Sequence, residues 1–359
     1  MSTELRVGVI GCGNISTAYF TLAPLFRGLK ITACADMNMA SAQAQAEKFG
    51  LKAMRADDLL ADGDIDAIVN LTIPAAHYPI TKRILESGKH AYSEKPLVLT
   101  IEEGLDLRRI ADAKGLKAGC APDTFLGGAH QRARKAIDDG DIGTITSGTA
   151  HVMNFGMEHW HPNPDFFYAP GGGPVLDLGP YYVSNLINLI GPVKRVGALT
   201  ATPQKARTIA NGARLGETVP VLTPTTVHGL LEFHSGAVVT LTASWDVFAH
   251  RHANMELYGS EGSIYVPDPN FFGGSVLASK RNGPAEELPA NYRTAGLADM
   301  AIAIAEGRDI RCSLERTLHG VDVMTSLLKS GETGEFITLQ TNCKQPAYLG
   351  PDEARALLR

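Results

Sequence analysis

Short apolar runs alternate with helix-forming segments along the first third of the chain. The apolar runs occupy residues 5–10, 29–35, 64–71 and 90–93. Helical patterns follow them from about residue 16, at 41–49, at 80–87 and after Thr100. We expect Ser41 to cap the second of these helices and Gly50 to end it. Continuous apolar runs separated by helices predict a doubly wound parallel sheet in an α/β domain.

A different pattern begins after about residue 120. Alternating apolar and polar positions predict strands at residues 144–152, 194–200, 225–233, 237–244 and 253–258. Helical patterns occupy residues 123–140, 175–190 and 298–329. Because few parallel crossovers are available here, we expect an α+β domain with a large, mostly antiparallel open sheet. The predicted domains are therefore residues 1–122 and residues 123–359.

The composition is that of an ordinary globular protein. Hydrophobic residues make up 44% and charged residues 20%, with a formal net charge of −5. No Lys/Arg block favours nucleic acid, and no stretch is long and apolar enough to span a bilayer. The 5 cysteines are scattered and form no Cys-x-x-Cys pair, which favours neither disulfides nor a metal site. The N-terminus lacks a signal-peptide pattern, so we expect a cytoplasmic protein.

A glycine-rich turn follows the first predicted strand and opens the first helix. It reads Gly11-Cys12-Gly13-Asn14-Ile15-Ser16. Glycine at the first position allows a tight turn, and glycine at the second lets the backbone approach a pyrophosphate at the helix N-terminus. Ser16, in place of a third glycine, is still small enough for close helix–strand packing. With an acid about 20 residues further on, the pattern predicts a dinucleotide site. The expected cofactor-binding residues in the turn are Gly11, Cys12, Gly13, Asn14 and Ile15.

The acid that ends the second predicted strand is Asp36. A carboxylate there can accept hydrogen bonds from a ribose 2′-hydroxyl and repels a 2′-phosphate. Two unit charges about 4 Å apart interact by roughly 4 kcal/mol at an effective dielectric constant near 20. No Lys or Arg immediately follows Asp36 to offset this repulsion, so NAD is favoured over NADP. The alternative is that Asp36 only caps the next helix.

Two further groups of residues lie at predicted strand ends. Thr72, Pro74 and His77 follow the strand at 64–71, and we expect them to border a ribose of the cofactor. Glu94-Lys95-Pro96 follows the strand at 90–93, and we expect Glu94 and Lys95 to contact the cofactor as well. To act as an acid–base group, Lys95 needs a pKa well below the free value of about 10.4. The alternative for Lys95 is a surface side chain in a proline-terminated turn.

The chain resembles the glucose–fructose oxidoreductase / inositol dehydrogenase / MocA (Gfo/Idh/MocA) family over nearly its whole length. The resemblance rests on the glycine turn, on Glu94-Lys95-Pro96, and on the segment GGGPVLDLGPY at residues 171–181. It implies an N-terminal Rossmann domain that binds NAD and a C-terminal domain whose open sheet supports oligomer contacts. It also implies that Lys95 hydrogen-bonds both the cofactor and the reacting substrate oxygen, and that Asp177 lies in the substrate site.

One departure from the family pattern concerns proton transfer. Four residues after this Asp the family usually has a catalytic His, and this chain has Tyr181. On one helix Asp177 and Tyr181 would share a face. Either Tyr181 has a lowered pKa and takes part, or Lys95 carries the proton while Asp177 orients the substrate. We prefer the second interpretation.

Residues 151–168 are rich in His and aromatic residues and are expected to form a substrate-binding loop. His159, Trp160 and His161 are its candidate sugar contacts, and Asp123 is a candidate neighbour of the nicotinamide. The alternatives for the loop are packing by its own aromatic side chains, or a metal site at Glu158, His159 and His161. We favour no metal, because adjacent residues seldom converge on one ion without a distant ligand.

The expected function is oxidation of a hydroxyl-bearing carbon of a sugar, sugar derivative or cyclitol, with hydride transfer to NAD and Lys95 as the proton acceptor. Two alternatives stay open: a glycosidase that uses transient oxidation by bound NAD, and a regulator that binds NAD(H) without turnover. We expect a homodimer or homotetramer that assembles through the C-terminal sheet.

Overall fold

The computed structural model describes residues 4–279 and 293–359, which divide into two compact units. The first unit contains residues 4–131, 293–321 and 346–359, and the second contains residues 132–279 and 322–345. Both units therefore take up segments from distant parts of the chain. The predicted boundary between two domains at residues 122 and 123 therefore stays a prediction.

The elements of the described residues follow in chain order. The strands are β1 (Leu5–Ile10), β2 (Leu29–Ala35), β3 (Lys52–Met54), β4 (Ala67–Asn70), β5 (His90–Ser93), β6 (Ala118–Cys120), β7 (Ile145–Met153), β8 (Val193–Ala201), β9 (Ala206–Thr208), β10 (Thr218–Pro220), β11 (Thr226–Phe233), β12 (Val238–Ser244), β13 (Met255–Gly259), β14 (Ser263–Val266), β15 (Leu277–Ala278) and β16 (Ile337–Thr338). The α-helices are α1 (Asn14–Leu22), α2 (Met39–Phe49), α3 (Ala56–Ala61), α4 (Pro74–Glu86), α5 (Ile101–Lys114), α6 (Gly128–Asp138), α7 (Asp165–Tyr168), α8 (Pro174–Asp177), α9 (Gly179–Ile190), α10 (Ala295–Glu306), α11 (Leu314–Thr333) and α12 (Pro351–Ala356).

The first unit is built on a parallel sheet with the strand order β3-β2-β1-β4-β5-β6. Side chains that alternate along each strand enter two separate apolar clusters. Val7 and Val9 of β1 belong to one cluster, whereas Ile10 belongs to the other. Both faces of the sheet are therefore covered, which explains why its strands are continuous apolar runs. This architecture confirms the predicted doubly wound Rossmann domain.

The second unit contains an eight-stranded sheet with the order β15-β14-β13-β7-β12-β11-β8-β16. Its neighbouring strands are antiparallel except for the parallel pair β7 and β12. A separate antiparallel pair joins β9 and β10. The large, mostly antiparallel open sheet predicted for the C-terminal part is thus confirmed.

Three local predictions were wrong. Helix α2 begins at Met39 and is capped by Asn38, whose side chain accepts from the Ala40 N–H at 3.1 Å, rather than by Ser41. Helix α4 begins earlier than predicted, because Pro74 is its first residue and suits the N-terminal turn. The single helix predicted at 175–190 is two helices, α8 and α9, which meet at Leu178.

None of the helices in the two described stretches is both long and apolar enough to cross a membrane.

Candidate active site

The first unit brings the predicted cofactor residues to one edge of its sheet. Strand register places Ala35, Ile10, Asn70 and Ser93, the last residues of β2, β1, β4 and β5, in one row. The chain therefore leaves all four strands at the same edge. Asp36, Gly11, Leu71 and Glu94 are the residues that follow directly. This is the carboxyl edge of a parallel sheet, where ligands of such folds bind.

The glycine turn has the geometry that its sequence predicts. Gly11 has a φ of 104°, and a Cβ at this position would lie 2.6 Å from the backbone carbonyl of Leu71. Gly13 is exposed, and a Cβ there would meet nothing within 4 Å. Ser16 is buried, and its hydroxyl donates to the Gly13 carbonyl at 2.6 Å. The turn thus packs tightly on one side and leaves open space beside Gly13 at the start of α1, where a pyrophosphate fits.

Asp36 fastens the glycine turn to the end of β2. One carboxylate oxygen accepts from the backbone N–H of Cys12 at 2.8 Å, and the other accepts from the N–H of Asn38 at 2.8 Å. Because Asn38 supplies the side-chain cap of α2, Asp36 is not that helix's N-cap. Asp36 stays half-exposed at the carboxyl edge, in a position that suits the predicted ribose contact.

A buried asparagine that the sequence analysis overlooked organises the loop after β4. Asn70 is fully buried, and its side-chain oxygen accepts from the hydroxyl of Thr72 at 2.6 Å. Its amide donates to the His77 carbonyl and to the Thr81 hydroxyl, each at 3.0 Å. The sequence did carry a signal for this role, because Asn70 is a polar residue at the end of an otherwise apolar strand. Asn70 thereby joins β4, the Thr72 loop and α4.

His77 connects two loops of this edge through both ring nitrogens. Nδ1 lies 2.5 Å from the Pro96 carbonyl oxygen, and Nε2 lies 3.0 Å from the Thr72 carbonyl oxygen. The ring is buried, and burial lowers the pKa of His77 against the opposing effect of the two carbonyls. The structure thus shows His77 bracing the Thr72 loop against Pro96. Contacts of Thr72, Pro74 and His77 with a cofactor stay predictions.

The Glu94-Lys95-Pro96 turn is held by its first residue. One oxygen of the buried Glu94 accepts from the Tyr19 hydroxyl at 3.1 Å and from Arg293 at 2.9 Å. The other oxygen accepts from the Lys95 backbone N–H at 3.0 Å. Lys95 itself is half-buried at the carboxyl edge. Sequence reasoning missed Arg293, which lies 199 residues from Glu94 in the chain.

Asp123 is buried at the start of α10. Its carboxylate accepts from the backbone N–H groups of Thr294 and Gly296, both at 3.1 Å. Burial raises the pKa of Asp123, whereas Arg293 and the Gly296 N–H act in the opposite direction. The carboxylate therefore accepts hydrogen bonds from backbone N–H groups at the N-terminus of α10. Its predicted contact with nicotinamide or substrate gains no support from this arrangement and stays a prediction.

The second unit carries the other two predicted catalytic residues. Asp177 is half-buried at the end of α8, and Tyr181 is buried in the first turn of α9. The break at Leu178 lies between them. The premise of one continuous helix was therefore wrong, and their joint action on a substrate stays a prediction.

The loop between β7 and α8 combines packing with polar contacts. His161 lies edge-on to Phe166 and Phe167, each with ring centroids 5.4 Å apart. His159 is exposed, and its Nε2 lies 3.4 Å from a carboxylate oxygen of the buried Glu158. Trp160 is 58% exposed. His161 thus belongs to the aromatic packing of the loop, whereas His159 and Trp160 reach the surface.

No group of three or more His, Cys, Asp or Glu side chains within the described residues could hold a metal ion. The residues of the first unit do fit NAD: open space lies beside Gly13, and a carboxylate with no cation next to it in the sequence lies at Asp36. Gly11, Gly13 and Asp36 would hold its pyrophosphate and ribose.

Comparison with known proteins agrees with this geometry. A family model described as an oxidoreductase family with an NAD-binding Rossmann fold matches residues 5–121. A GFO/IDH/MocA C-terminal domain model matches residues 130–265.

Named relatives span most of the chain. A dTDP-3,4-didehydro-2,6-dideoxy-alpha-D-glucose 3-reductase from Streptomyces violaceoruber is 30% identical and covers 84% of this chain and 85% of its own. A D-glucoside 3-dehydrogenase from Escherichia coli is 27% identical, and the match covers 68% of this chain and 71% of that relative. A solved levoglucosan dehydrogenase in complex with NADH and L-sorbose shares the fold, with a TM-score of 0.79 and 22% identity. The match covers 94% of this chain and 99% of that structure. The chain therefore belongs to the Gfo/Idh/MocA family of NAD-binding oxidoreductases.

Proposed function

We propose that this protein is an NAD-dependent dehydrogenase that oxidises a hydroxyl-bearing carbon of a sugar, sugar derivative or cyclitol. The observation that carries the proposal is the shared carboxyl edge of β1, β2, β4 and β5. It gathers a dinucleotide-binding turn, an acid suited to a ribose, and Lys95. A lysine at this edge lies where a cofactor-bound substrate reacts in folds of this kind.

Lys95 is the proposed proton acceptor. Its backbone is fixed on both sides, because Glu94 accepts from its N–H at 3.0 Å and His77 braces the following Pro96. Such support fixes the point on the carboxyl edge from which the Lys95 side chain extends. NAD, when bound, supplies the hydride acceptor.

Asp177 and Tyr181 are proposed substrate residues of the second unit. A half-buried carboxylate such as Asp177 can accept hydrogen bonds from sugar hydroxyls and so orient them. Tyr181 contributes a hydroxyl, and we assign the proton to Lys95 because Lys95 directly follows Glu94 at the carboxyl edge, where the cofactor is expected to bind. Asp123, His159, Trp160 and His161 remain candidate substrate contacts.

The names of the relatives support a sugar as the substrate. Those compared above act on a deoxysugar nucleotide, a glucoside or levoglucosan, according to their names. A 1,5-anhydro-D-fructose reductase from Ensifer adhaerens, 24% identical over 94% of this chain, adds a further sugar derivative. A chain of the same family is expected to act on a related polyol.

The test is NADH formation by the purified protein with NAD or NADP and a panel of aldoses, glycosides, cyclitols and sugar acids. We expect turnover with NAD that falls by about a hundredfold or more in Lys95→Ala, since general acid–base groups contribute roughly 10²–10⁴-fold. Lys114→Ala, which removes an exposed lysine of α5, is the matched control. Turnover that persists in Lys95→Ala would overturn the assignment of Lys95.

If no substrate of the panel gives NADH although the protein binds NAD, the dehydrogenase proposal is contradicted. Cleavage of aryl glycosides that depends on NAD would then identify the glycosidase alternative. Binding of NAD(H) without either reaction would identify the regulator.

A further inference from the structure

A cavity of about 240 Å³ lies entirely within the second unit. Its walls come from three places: the loop after β7, strand β9, and the loop after β12. The principal side chains in them are Phe155, Glu158, Arg207, Trp245, Asp246 and Phe248. The volume lies below the roughly 300–1,000 Å³ of pockets for drug-sized ligands. It therefore suits one small ring.

The polar wall is a fixed network of buried charges. Arg207 is 4% exposed and donates to Glu158 at 3.2 Å and to the Trp245 carbonyl at 3.4 Å, and it also contacts Asp246. Asp246 accepts from the hydroxyl of Thr225 at 2.7 Å. These contacts hold both carboxylates and the guanidinium in place, so the wall is preorganised for hydrogen bonding.

Two buried donors in this wall lack an acceptor within residues 4–279 and 293–359. They are Nε of Arg207 and the indole N–H of Trp245. Both donors are shielded from solvent, so they belong to the buried side of the wall.

Two phenylalanines form an apolar surface at the mouth of the cavity. Phe155 and Phe248 are 43% and 83% exposed, and their rings are nearly parallel, with an interplanar angle of 9° and centroids 5.9 Å apart. Aromatic faces carry partial negative charge and attract polarised C–H groups. Sugar rings present such C–H groups on one face and hydroxyls around the rim. An exposed aromatic pair next to a polar wall suits that pattern.

The charge of the wall selects against anions. Glu158 and Asp246 carry two negative charges, and Arg207 carries one positive charge that both carboxylates already contact. No surplus positive charge is left among the principal wall residues for a phosphate or pyrophosphate. Gln204 adds an uncharged amide at the rim. The favoured ligand is therefore neutral and rich in hydroxyls.

We propose that this cavity is a subsite for one neutral saccharide ring of the substrate. As a statement about the substrate this rests on the proposed function: the substrate carries at least one uncharged saccharide ring, and this cavity binds that ring. Phe155 and Phe248 stack on the C–H face of the ring, while Glu158, Arg207 and Asp246 bind its hydroxyls.

The binding test uses saturation-transfer NMR titrations with methyl β-D-glucopyranoside and with glucose 1-phosphate, on protein without added cofactor. We expect the neutral glycoside to bind more tightly than the phosphate. Phe248→Ala removes an exposed ring and should weaken glycoside binding by about fivefold or more. Gln204→Ala should weaken it less. Phe271→Ala, at an exposed aromatic outside this cavity, is the matched control.

Failure of the glycoside to bind, or equal binding by the wild type and Phe248→Ala, would overturn the subsite. Tighter binding of the phosphate would do so as well. Circular dichroism of each variant shows that its fold is retained.

Kinetics separate this proposal from the proposed function. With a glycoside that is oxidised, Phe248→Ala should raise KM and leave kcat nearly unchanged. Turnover with an unchanged KM contradicts the subsite while the dehydrogenase stands. Binding that Phe248→Ala abolishes, without any turnover, supports the saccharide site while the dehydrogenase proposal fails.

Discussion

At the scale of single residues, Asp36 combines two structural contacts with an expected cofactor contact. Its carboxylate accepts from Cys12 and Asn38, and it is expected to accept from the ribose 2′-hydroxyl of NAD. Asp36→Ala should lower kcat/KM for NAD by about tenfold or more and relieve the repulsion of NADP, so the NAD/NADP preference falls. Steady-state kinetics with both cofactors measure this, with the exposed Asp58→Ala as control. An unchanged preference would refute the role of Asp36.

His77 should make stability depend on pH. Each ring nitrogen faces a carbonyl, yet a neutral ring has only one N–H to donate. Burial is the largest influence on the pKa of His77 and lowers it, so below about pH 6.5 the unfolded chain binds a proton that the folded chain resists. Stability from this residue is thus present above that pH and is lost as pH falls.

His77→Gln stays neutral throughout this range. We expect its unfolding midpoint to change less between neutral pH and about pH 5 than that of the wild type, in denaturant titrations at each pH. His234→Gln, at an exposed position, is the control. Equal pH dependence in wild type and His77→Gln would show that the buried ring does not contribute.

The sequence predicts those residues whose partners are close in the chain or fixed by a known motif. Gly11, Asp36 and Lys95 were predicted as site residues from spacing and from strand ends. Arg293 was missed, because its contact with Glu94 depends on a fold that joins residues 199 positions apart. Arg207 was missed for the same reason: it meets Glu158 only once β9 is in place.

At the scale of elements, the β1–α1 turn assigns different tasks to its two glycines. Gly11 has a φ of 104° and a Cβ would lie 2.6 Å from the Leu71 carbonyl, whereas Gly13 borders open space. Gly11→Ala should therefore reduce stability, by several kcal/mol if the backbone cannot shift. Gly13→Ala should leave stability nearly unchanged and weaken NAD binding, because its methyl group occupies the space expected for the pyrophosphate.

Denaturant titrations and calorimetric NAD titrations on the two variants test this division. The two glycines are each other's control. Wild-type NAD affinity in Gly13→Ala would place the cofactor elsewhere.

Element type was predictable where an apolar run or a cap marked it. Residues 5–10 and 29–35 were predicted as β1 and β2 with their observed bounds, and Thr100 caps α5 in a reciprocal capping box with Glu103. The short strands β3 and β6 were missed, because three residues are too few to show a period. The break between α8 and α9 was also missed, since neither Leu178 nor the Gly179-Pro180 pair after it stops the apolar pattern.

At the scale of the whole molecule, the two compact units draw on separate parts of the chain. Residues 293–321 and 346–359 join the first unit, where Leu297 and Leu357 enter the same apolar cluster as β1. A division made along the sequence assigns these C-terminal segments to the second domain, because helical periodicity shows that a face is apolar but not which core receives it. Packing of this kind follows from tertiary structure alone.

Assembly through the eight-stranded sheet is the remaining whole-molecule prediction. Leu199 of β8 and Leu230 of β11 are 75% and 43% exposed on adjacent strands. Exposed apolar side chains on neighbouring strands suit a face that a second copy covers. We expect light scattering to show a homodimer or homotetramer, and the double variant Leu199→Glu/Leu230→Glu to give a smaller species. Leu215→Glu, 69% exposed and outside this sheet, is the control. A wild-type monomer, or an oligomer that the double variant leaves intact, would contradict assembly through this face. If Leu215→Glu also dissociated the oligomer, the effect of the double variant would come from added charge in general and would not locate the interface.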